Sequence, residues 1–330
     1  MAFDELREQF EARREKALAM GGEAKIERRR NAGVLNARER IDYLLDRGTF
    51  IESGLFATSL YPGDQEKTPA DGKIAGYGRI EGREAAIVVN DFTVKGASSA
   101  GTNMKKISQM QRTSKERGIP MVYLGESSGA RIPDNMGGIG MGTLLGGNPN
   151  QYARLRECPW ASAILGMSYG SATWYGCMSD FNVMRKGAVM AVSSERLVSM
   201  AIGEKVDPEE LGGWRLHSDV TGLIDMAVDT DEEAIDAIKR FLSYMPSHNG
   251  ETPPVVAAPQ RSDDEARDVA SLVPESRTQV YDMRKVVRAV VDKDSYFELK
   301  PRFGRTAVTA LGRIGGQVGG FVANNPLSKA

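Results

Sequence analysis

Thiols and imidazoles are almost absent from this sequence. Two cysteines, Cys158 and Cys177, occur in 330 residues. No C-x-x-C is present, which excludes a zinc ribbon or a thioredoxin-like motif. Two cysteines in so long a chain are expected as reduced cytosolic thiols. Only His217 and His248 supply an imidazole, and no histidine or carboxylate pair shows metal-ligand spacing, so no metal is expected. Charge of one sign is lacking too. The 43 basic and 44 acidic residues leave a net charge of −1, which gives no global reason to expect nucleic acid or an anionic membrane as partner. No apolar run reaches the roughly 20 residues needed to cross a bilayer. The opening stretch Met1-Ala2-Phe3-Asp4-Glu5-Leu6-Arg7-Glu8 has no apolar core of signal-peptide type. A cytoplasmic protein is expected.

What is present is the composition of a globular chain, 41% hydrophobic and 26% charged, long enough for two domains. Residues 2–20 place Phe3, Leu6, Phe10, Ala17 and Leu18 at near-helical spacing and read as an amphipathic helix. A basic stretch (Lys25, Arg28, Arg29, Arg30) precedes a second helix carrying Ile41, Leu44 and Leu45. Residues 73–80 and 85–92 read as a strand pair turned at Glu81-Gly82. Residues 102–117 read as a helix. Residues 119–124, 160–165 and 188–192 read as short buried strands. Thr230-Asp231-Glu232-Glu233 fits a capping box for a helix with Ile235, Ile238 and Leu242 on its apolar face. Strands alternating with helices predict an α/β fold with a largely parallel core.

The chain also repeats itself. Residues 38–52, from Arg38 through Asp46 to Glu52, lie over residues 284–298, from Arg284 through Asp292 to Glu298, an offset of 246. Gly78-Arg79-Ile80-Glu81-Gly82 matches Gly312-Arg313-Ile314-Gly315-Gly316, and Val88-Val89-Asn90 matches Val322-Ala323-Asn324, both offset by 234. Three blocks in one order point to a duplicated unit with one shortened loop. The expected division is a first domain over 1–246, a proline-containing polar linker over 247–274, and the opening of a second, incomplete domain over 275–330.

Two glycine-containing turns follow buried strands: Gly125-Glu126-Ser127-Ser128-Gly129-Ala130-Arg131 and Gly166-Met167-Ser168-Tyr169-Gly170-Ser171-Ala172. Both fit G-x-S-x-G, the strand–turn–helix elbow of a serine hydrolase, with Ser127 or Ser168 as nucleophile and His217 as base. The other reading uses the backbone. Small residues at a strand end let the chain approach a ligand, and free N–H groups at the next helix start aim at one oxygen. Such a pair of donors is an oxyanion hole, with Gly129, Ala130, Gly170 and Ser171 as its residues. Tight packing of the turns is a third reading. Lys95, Lys105 and Lys106 flank the turn Gly96-Ala97-Ser98-Ser99-Ala100-Gly101 and are candidate phosphate ligands. The glycines of 137–147 form neither G-x-G-x-x-G nor a P-loop, and predict a loop over the site.

Taken together, Ala37-Arg38-Glu39-Arg40-Ile41, Leu45-Asp46, Phe50-Ile51-Glu52, Asp91-Phe92-Thr93-Val94, Ser127-Ser128-Gly129-Ala130-Arg131, Asp180-Phe181 and Glu209-Glu210-Leu211-Gly212-Gly213 with His217 resemble the carboxyltransferase (beta) subunits of biotin-dependent acyl-CoA carboxylases, propionyl-CoA carboxylase beta chains in particular. The resemblance runs over essentially the whole chain. It implies crotonase-like ββα-spiral domains, the first binding an acyl-CoA and the second binding carboxybiotin across a subunit interface. Gly170 and Ser171 then stand where the family has a Gly-Gly pair, with Gly129 and Ala130 in the opposing turn. Arg131 joins Lys105 and Lys106 as a candidate acyl-CoA ligand. Ser128 and Ser171 depart from the family pattern, where glycine is common.

The resemblance further implies transfer of a carboxyl group from carboxybiotin to the α-carbon of an acyl-CoA through an enolate. It implies biotin on a partner carrier chain, a biotin carboxylase partner, and a homo-oligomer from dimer to hexamer. An acyl-CoA decarboxylase subunit of the same fold, and an acyl-CoA-binding scaffold without catalysis, are the alternatives.

Overall fold

The computed structural model describes residues 2–136, 157–258, 268–276 and 278–328. The predicted glycine loop at 137–147 lies outside them. Eight strands form the main sheet: β1 (Ile51–Ser53), β2 (Lys73–Ile80), β3 (Arg83–Asn90), β4 (Met121–Ser127), β5 (Trp160–Tyr169), β6 (Phe181–Arg185), β7 (Val189–Ala191) and β8 (Met226–Val228). Their order is β1-β2-β3-β4-β5-β6-β8, with β7 on the far end of β5. The first three are antiparallel, and from β3 onward all pairings are parallel. The expected α/β architecture with a parallel core is what forms.

Helices cover both faces, so the central strands bury both sides. Successive side chains of β3 and β4 alternate between two cores. Ile87, Val89, Val122 and Leu124 join Ile41, Leu44, Ile235 and Ile238 on one face. Val88, Met121 and Tyr123 join Ile107, Met110, Trp160 and Tyr175 on the other. The first face is covered by α3 (Ala37–Leu44) and α9 (Asp231–Ser243), the second by α4 (Gly101–Arg117) and α6 (Ser171–Met178). Caps set the helix starts. Asn36 and Glu39 form a reciprocal capping box on α3, and the Thr230 hydroxyl accepts from the Glu233 amide at 3.1 Å. The first helix, α1 (Ala2–Leu18), keeps Phe3, Leu6 and Phe10 largely exposed, while Ala17 is buried.

Behind β4 lies a chain of buried ions. Glu126 accepts from Arg29 of α2 (Glu23–Asn31) at 2.7 Å and from Arg40 of α3 at 2.6 Å. Arg40, fully enclosed, also donates to Asp231 of α9 at 2.9 Å, and Asp231 pairs with Arg185 of β6 at 3.2 Å. Burial alone raises the Glu126 carboxyl, but the two guanidinium groups outweigh it and hold it below its ordinary value.

The repeat is legible atom by atom. Asp46 accepts from the amides of Glu81 and Gly82 at 3.0 and 2.7 Å; Asp292 accepts from Gly315 and Gly316 at the same two distances. The Asp46 amide donates to the Arg79 carbonyl at 2.8 Å, and that of Asp292 to Arg313 at 2.7 Å. Thr49 and Ser295 hydroxyls each accept from the arginine amide at 3.0 Å. Arg38–Glu52 and Arg284–Glu298 are the matching ion pairs. The second copy consists of α10 (Met283–Val290) and the sheet β11-β10-β9 of Gln317–Asn324, Ala307–Ile314 and Phe297–Leu299. It packs on the first unit. Phe297 enters the core beside Phe181 and Tyr244, and Arg302 pairs with Asp219 at 2.6 Å.

Candidate active site

The two serine turns begin later than their sequence pattern predicts. Strand β4 runs on to Ser127 and β5 to Tyr169, so Ser127 and Ser168 are strand residues, paired in register and fully buried. The Ser127–Ser168 pairing carries both chains extended past Gly125 and Gly166, and β7 adds pairing on the other side of β5. Gly166 has its own reason: a Cβ there would stand 2.1 Å from a Glu126 carboxylate oxygen. The actual bends are Ser128–Ala130 and Gly170–Ser171, at the same ends of adjacent parallel strands.

This placement removes the serine-elbow geometry. Ser127 Oγ lies 3.2 Å from the Ala97 carbonyl. His217 is committed elsewhere. Its Nε2 donates to the Met190 carbonyl at 2.7 Å, and its Nδ1 accepts from the Thr221 hydroxyl at 3.0 Å. A carbonyl only accepts, so the tautomer is fixed. Burial pushes the imidazole below its usual pKa, which keeps it neutral. His217 is a packing residue in a single π-type turn, Leu216–Val220.

At the first bend, Gly129 adopts φ +105°, a conformation that disfavours any side chain. Its amide is weakly taken by Ser127 Oγ at 3.2 Å, and the Ser128 amide donates to Gly96 at 2.9 Å. Ser99 runs alongside. Its amide donates to the Gly129 carbonyl and its carbonyl accepts from the Arg131 amide, both at 2.8 Å. This isolated parallel bridge leaves the Ala130 amide without an acceptor among the described residues. Ala130 itself is exposed.

At the second bend, Gly170 has φ +64° and its amide donates to the carbonyls of Ala191 and Val192, at 3.3 and 3.1 Å. The expectation that the Gly170 amide is a free donor therefore yields to the carbonyls at the end of β7. The Ser171 amide, at the first position of α6, has no acceptor among the described residues, as helix geometry dictates. The bends are neighbours. A Cβ on Gly129 would lie 3.9 Å from that of Tyr169, and the hydroxyls of Ser99 and Ser171 meet at 2.7 Å.

The predicted phosphate ligands separate. Lys105 is exposed on α4. Lys106 turns inward, and its ammonium is held by the carbonyls of Gly54, Ala70 and Lys73. Arg131 is buried against Asp71 and the carbonyl of Ser98. Neither is turned toward an open site: Lys106 is spent on backbone carbonyls, and Arg131 on Asp71 and the Ser98 carbonyl. Lys73 shares this enclosure, donating to the Ala97 carbonyl at 3.0 Å. Burial pushes the ammonium of Lys73 down to about 7 and that of Lys106 to about 8.

An open cavity of about 450 Å³ instead collects three other lysines. Lys25, Lys67, Phe92, Thr93, Lys95 and Gly96 line it. Lys25 donates to the Thr93 carbonyl at 2.9 Å and Lys95 to Asp64 at 3.0 Å, while Lys67 stands 4.0 Å from the same carboxylate. Gly96 ties this cavity to the first bend through its bond to Ser128. Lys95 was legible beside its small-residue turn. Lys25 and Lys67, distant in sequence, were not, nor was Ser99. Among the described residues, no cluster of three or more His, Cys, Asp or Glu is placed to hold a metal ion.

The carboxyl transferase domain family matches residues 28–330. The chain belongs to this family. It is 36% identical to the propionyl-CoA carboxylase carboxyltransferase subunit of Haloferax mediterranei, over 98% of its own length and 62% of that protein's. It is 31% identical to the methylmalonyl-CoA decarboxylase alpha subunit of Veillonella parvula, over 94% of this chain and 62% of that one. Among solved structures it resembles the transcarboxylase 12S hexamer, solved with methylmalonyl-coenzyme A and methylmalonic acid bound, at a TM-score of 0.88 and 31% identity. That match covers 97% of this chain and 62% of the other. The chain thus spans about three fifths of the length of these relatives. Its fold is the crotonase-like one that the sequence resemblance implied. No helix among the described residues is long and apolar enough to cross a membrane.

Proposed function

We propose that this carboxyltransferase chain holds the acyl-CoA half of a carboxyl-transfer site, with the amides of Ala130 and Ser171 converging on the thioester oxygen. The observation that carries this reading is the meeting of the two bends, each offering one amide without an acceptor among the described residues. An enolate formed at the α-carbon places its negative charge on that oxygen. Fixed N–H dipoles stabilise this charge without reorganising, and the effect is largest where water is excluded. Gly129 and Gly170 serve as the bends that turn their neighbours' amides outward.

The CoA arm runs from the first bend past Gly96 into the cavity of Lys25, Lys67 and Lys95. There the ammonium groups meet phosphate and Phe92 offers an apolar surface. Phosphate binding thus moves from Lys106 and Arg131, which are engaged internally, to lysines at an open surface.

Carboxybiotin, delivered by a carrier chain and charged by a biotin carboxylase chain, supplies the carboxyl group in this reading. Exposed Val192, Leu197, Met200 and Ile202 at and beyond the end of β7 present an apolar surface suited to another copy of the chain. That fits the hexamer assembly named for the transcarboxylase relative. Decarboxylation of a carboxylated acyl-CoA passes through the same enolate, so the same amides serve it. The decarboxylase relative is the observation that keeps this second reading.

Calorimetric titration of propionyl-CoA into the chain tests the proposal. Saturable binding is expected, weakened at least tenfold by the double substitution Lys25→Glu/Lys95→Glu. Equal affinity of the double variant, or no binding by the parent chain, would remove the assigned acyl-CoA site.

A further inference from the structure

The Ser99–Ser171 contact carries a consequence that rests on the oxyanion reading above. Ser99 is stitched into place from every side. Its amide and carbonyl bridge Gly129 and Arg131, and its carbonyl also accepts from Asn135 Nδ2 at 2.7 Å. Only its hydroxyl leaves this frame, and it meets the Ser171 hydroxyl at 2.7 Å. Among the described residues neither hydroxyl has another partner.

Two hydroxyls carry two protons, and one contact uses one of them. Burial decides which. Ser99 is 3% exposed, whereas Ser171 is half-buried. A buried hydroxyl proton left without an acceptor is costly, so Ser99 donates and Ser171 accepts. The proton that remains is on Ser171, the residue whose amide is already unpaired. Accepting from Ser99 also polarises the Ser171 hydroxyl and strengthens it as a donor.

We infer that the Ser171 side chain is a third hydrogen-bond donor to the thioester oxyanion, with Ser99 as the positioning residue that orients it. One residue then supplies two donors, N–H and O–H, against the single N–H of Ala130. A hydroxyl–oxyanion bond is charge-assisted, so it strengthens as charge builds on the oxygen. The serine side chain at 171 then adds a contact to the site rather than merely filling space.

The competing explanation is that the pair only staples the two bends together. Isotope-edited infrared spectroscopy of carbonyl-labelled propionyl-CoA on the whole chain separates the two, since it reads carbonyl polarisation directly. Ser171→Ala is expected to lose about a third of the bound-state red shift, one donor in three. Ser99→Ala is expected to broaden the band with a smaller loss. Ser171→Thr, which keeps the hydroxyl, is expected to restore the parent position. Thermal melts of each variant confirm folding, and Ser171→Gly gives a second hydroxyl-free chain. A Ser171→Ala band at the parent position, with Ser171→Gly agreeing, overturns the inference while leaving the amide site standing. A parent chain that shows no red shift at all overturns the oxyanion reading beneath it.

Discussion

Lys73 lies enclosed among Asp71, Lys106 and Arg131, and burial brings its ammonium to about 7. In the unfolded chain it titrates near 10.4. Between these values the unfolded state binds more protons than the folded one, so this residue makes stability rise with pH above 7. Urea unfolding at pH 7 and 8.5 is expected to show the parent chain gaining about 1–2 kcal/mol relative to Lys73→Met across that interval. Identical pH dependence of the two chains would mean that Lys73 is not enclosed as described. The same enclosure shows where single residues misled the sequence reading. Lys105 and Lys106 look equivalent in a string of letters, yet one helical step turns them about 100° apart. Lys106 sits four residues before buried Met110 and three after buried Asn103, so the i, i+3, i+4 pattern held the signal that it points inward. Nothing local announced that Gly170 would spend its amide on carbonyls from a later strand.

At the level of elements, short-range rules were the legible part. The hairpin around Glu81-Gly82, the Thr230 cap and the helix ending at Arg117 all depend on neighbours within a few residues. The lengths of β4 and β5 depend on pairing partners far along the chain, so the glycines at 125 and 166 looked like turns. The ion chain from Arg29 through Glu126, Arg40 and Asp231 to Arg185 was equally hidden, although it ties α2, α3, β4, β6 and α9 together behind the bends. Removing Arg40 leaves two buried carboxylates short of a partner. Arg40→Met is expected to cost about 3–5 kcal/mol in denaturant unfolding, far beyond a surface ion pair. A loss under about 1 kcal/mol would show that the chain of ions is bystander geometry.

Over the whole molecule, the repeat was readable because it repeats chemistry as well as letters. An aspartate that caps a hairpin turn through two amides recurs at Asp46 and Asp292, and the bonding around each is the same. Asp46→Ala and Asp292→Ala should therefore each speed amide exchange at their own hairpin, Gly82 in the first case and Gly316 in the second. Each is expected to lose about 1–3 kcal/mol. Exchange unaffected at one of the two turns would deny the equivalence of the copies. The domain limits drawn at 246 and 275 remain our proposal for where one copy gives way to the other. Their surfaces meet through Phe297, Tyr244 and the Arg302–Asp219 pair, so the second copy also buttresses the end of the first.

Two bends at the ends of β4 and β5 give the molecule its proposed chemistry, and the most direct measurement is made on the thioester itself. Replacing the amide between Gly170 and Ser171 by an ester removes one N–H and leaves the side chains in place. The carbonyl carbon resonance of labelled propionyl-CoA is predicted to move downfield on binding to the parent chain, and to fall back part of the way on the ester-linked chain. A resonance at the free-thioester position in the fully bound parent chain would contradict the account.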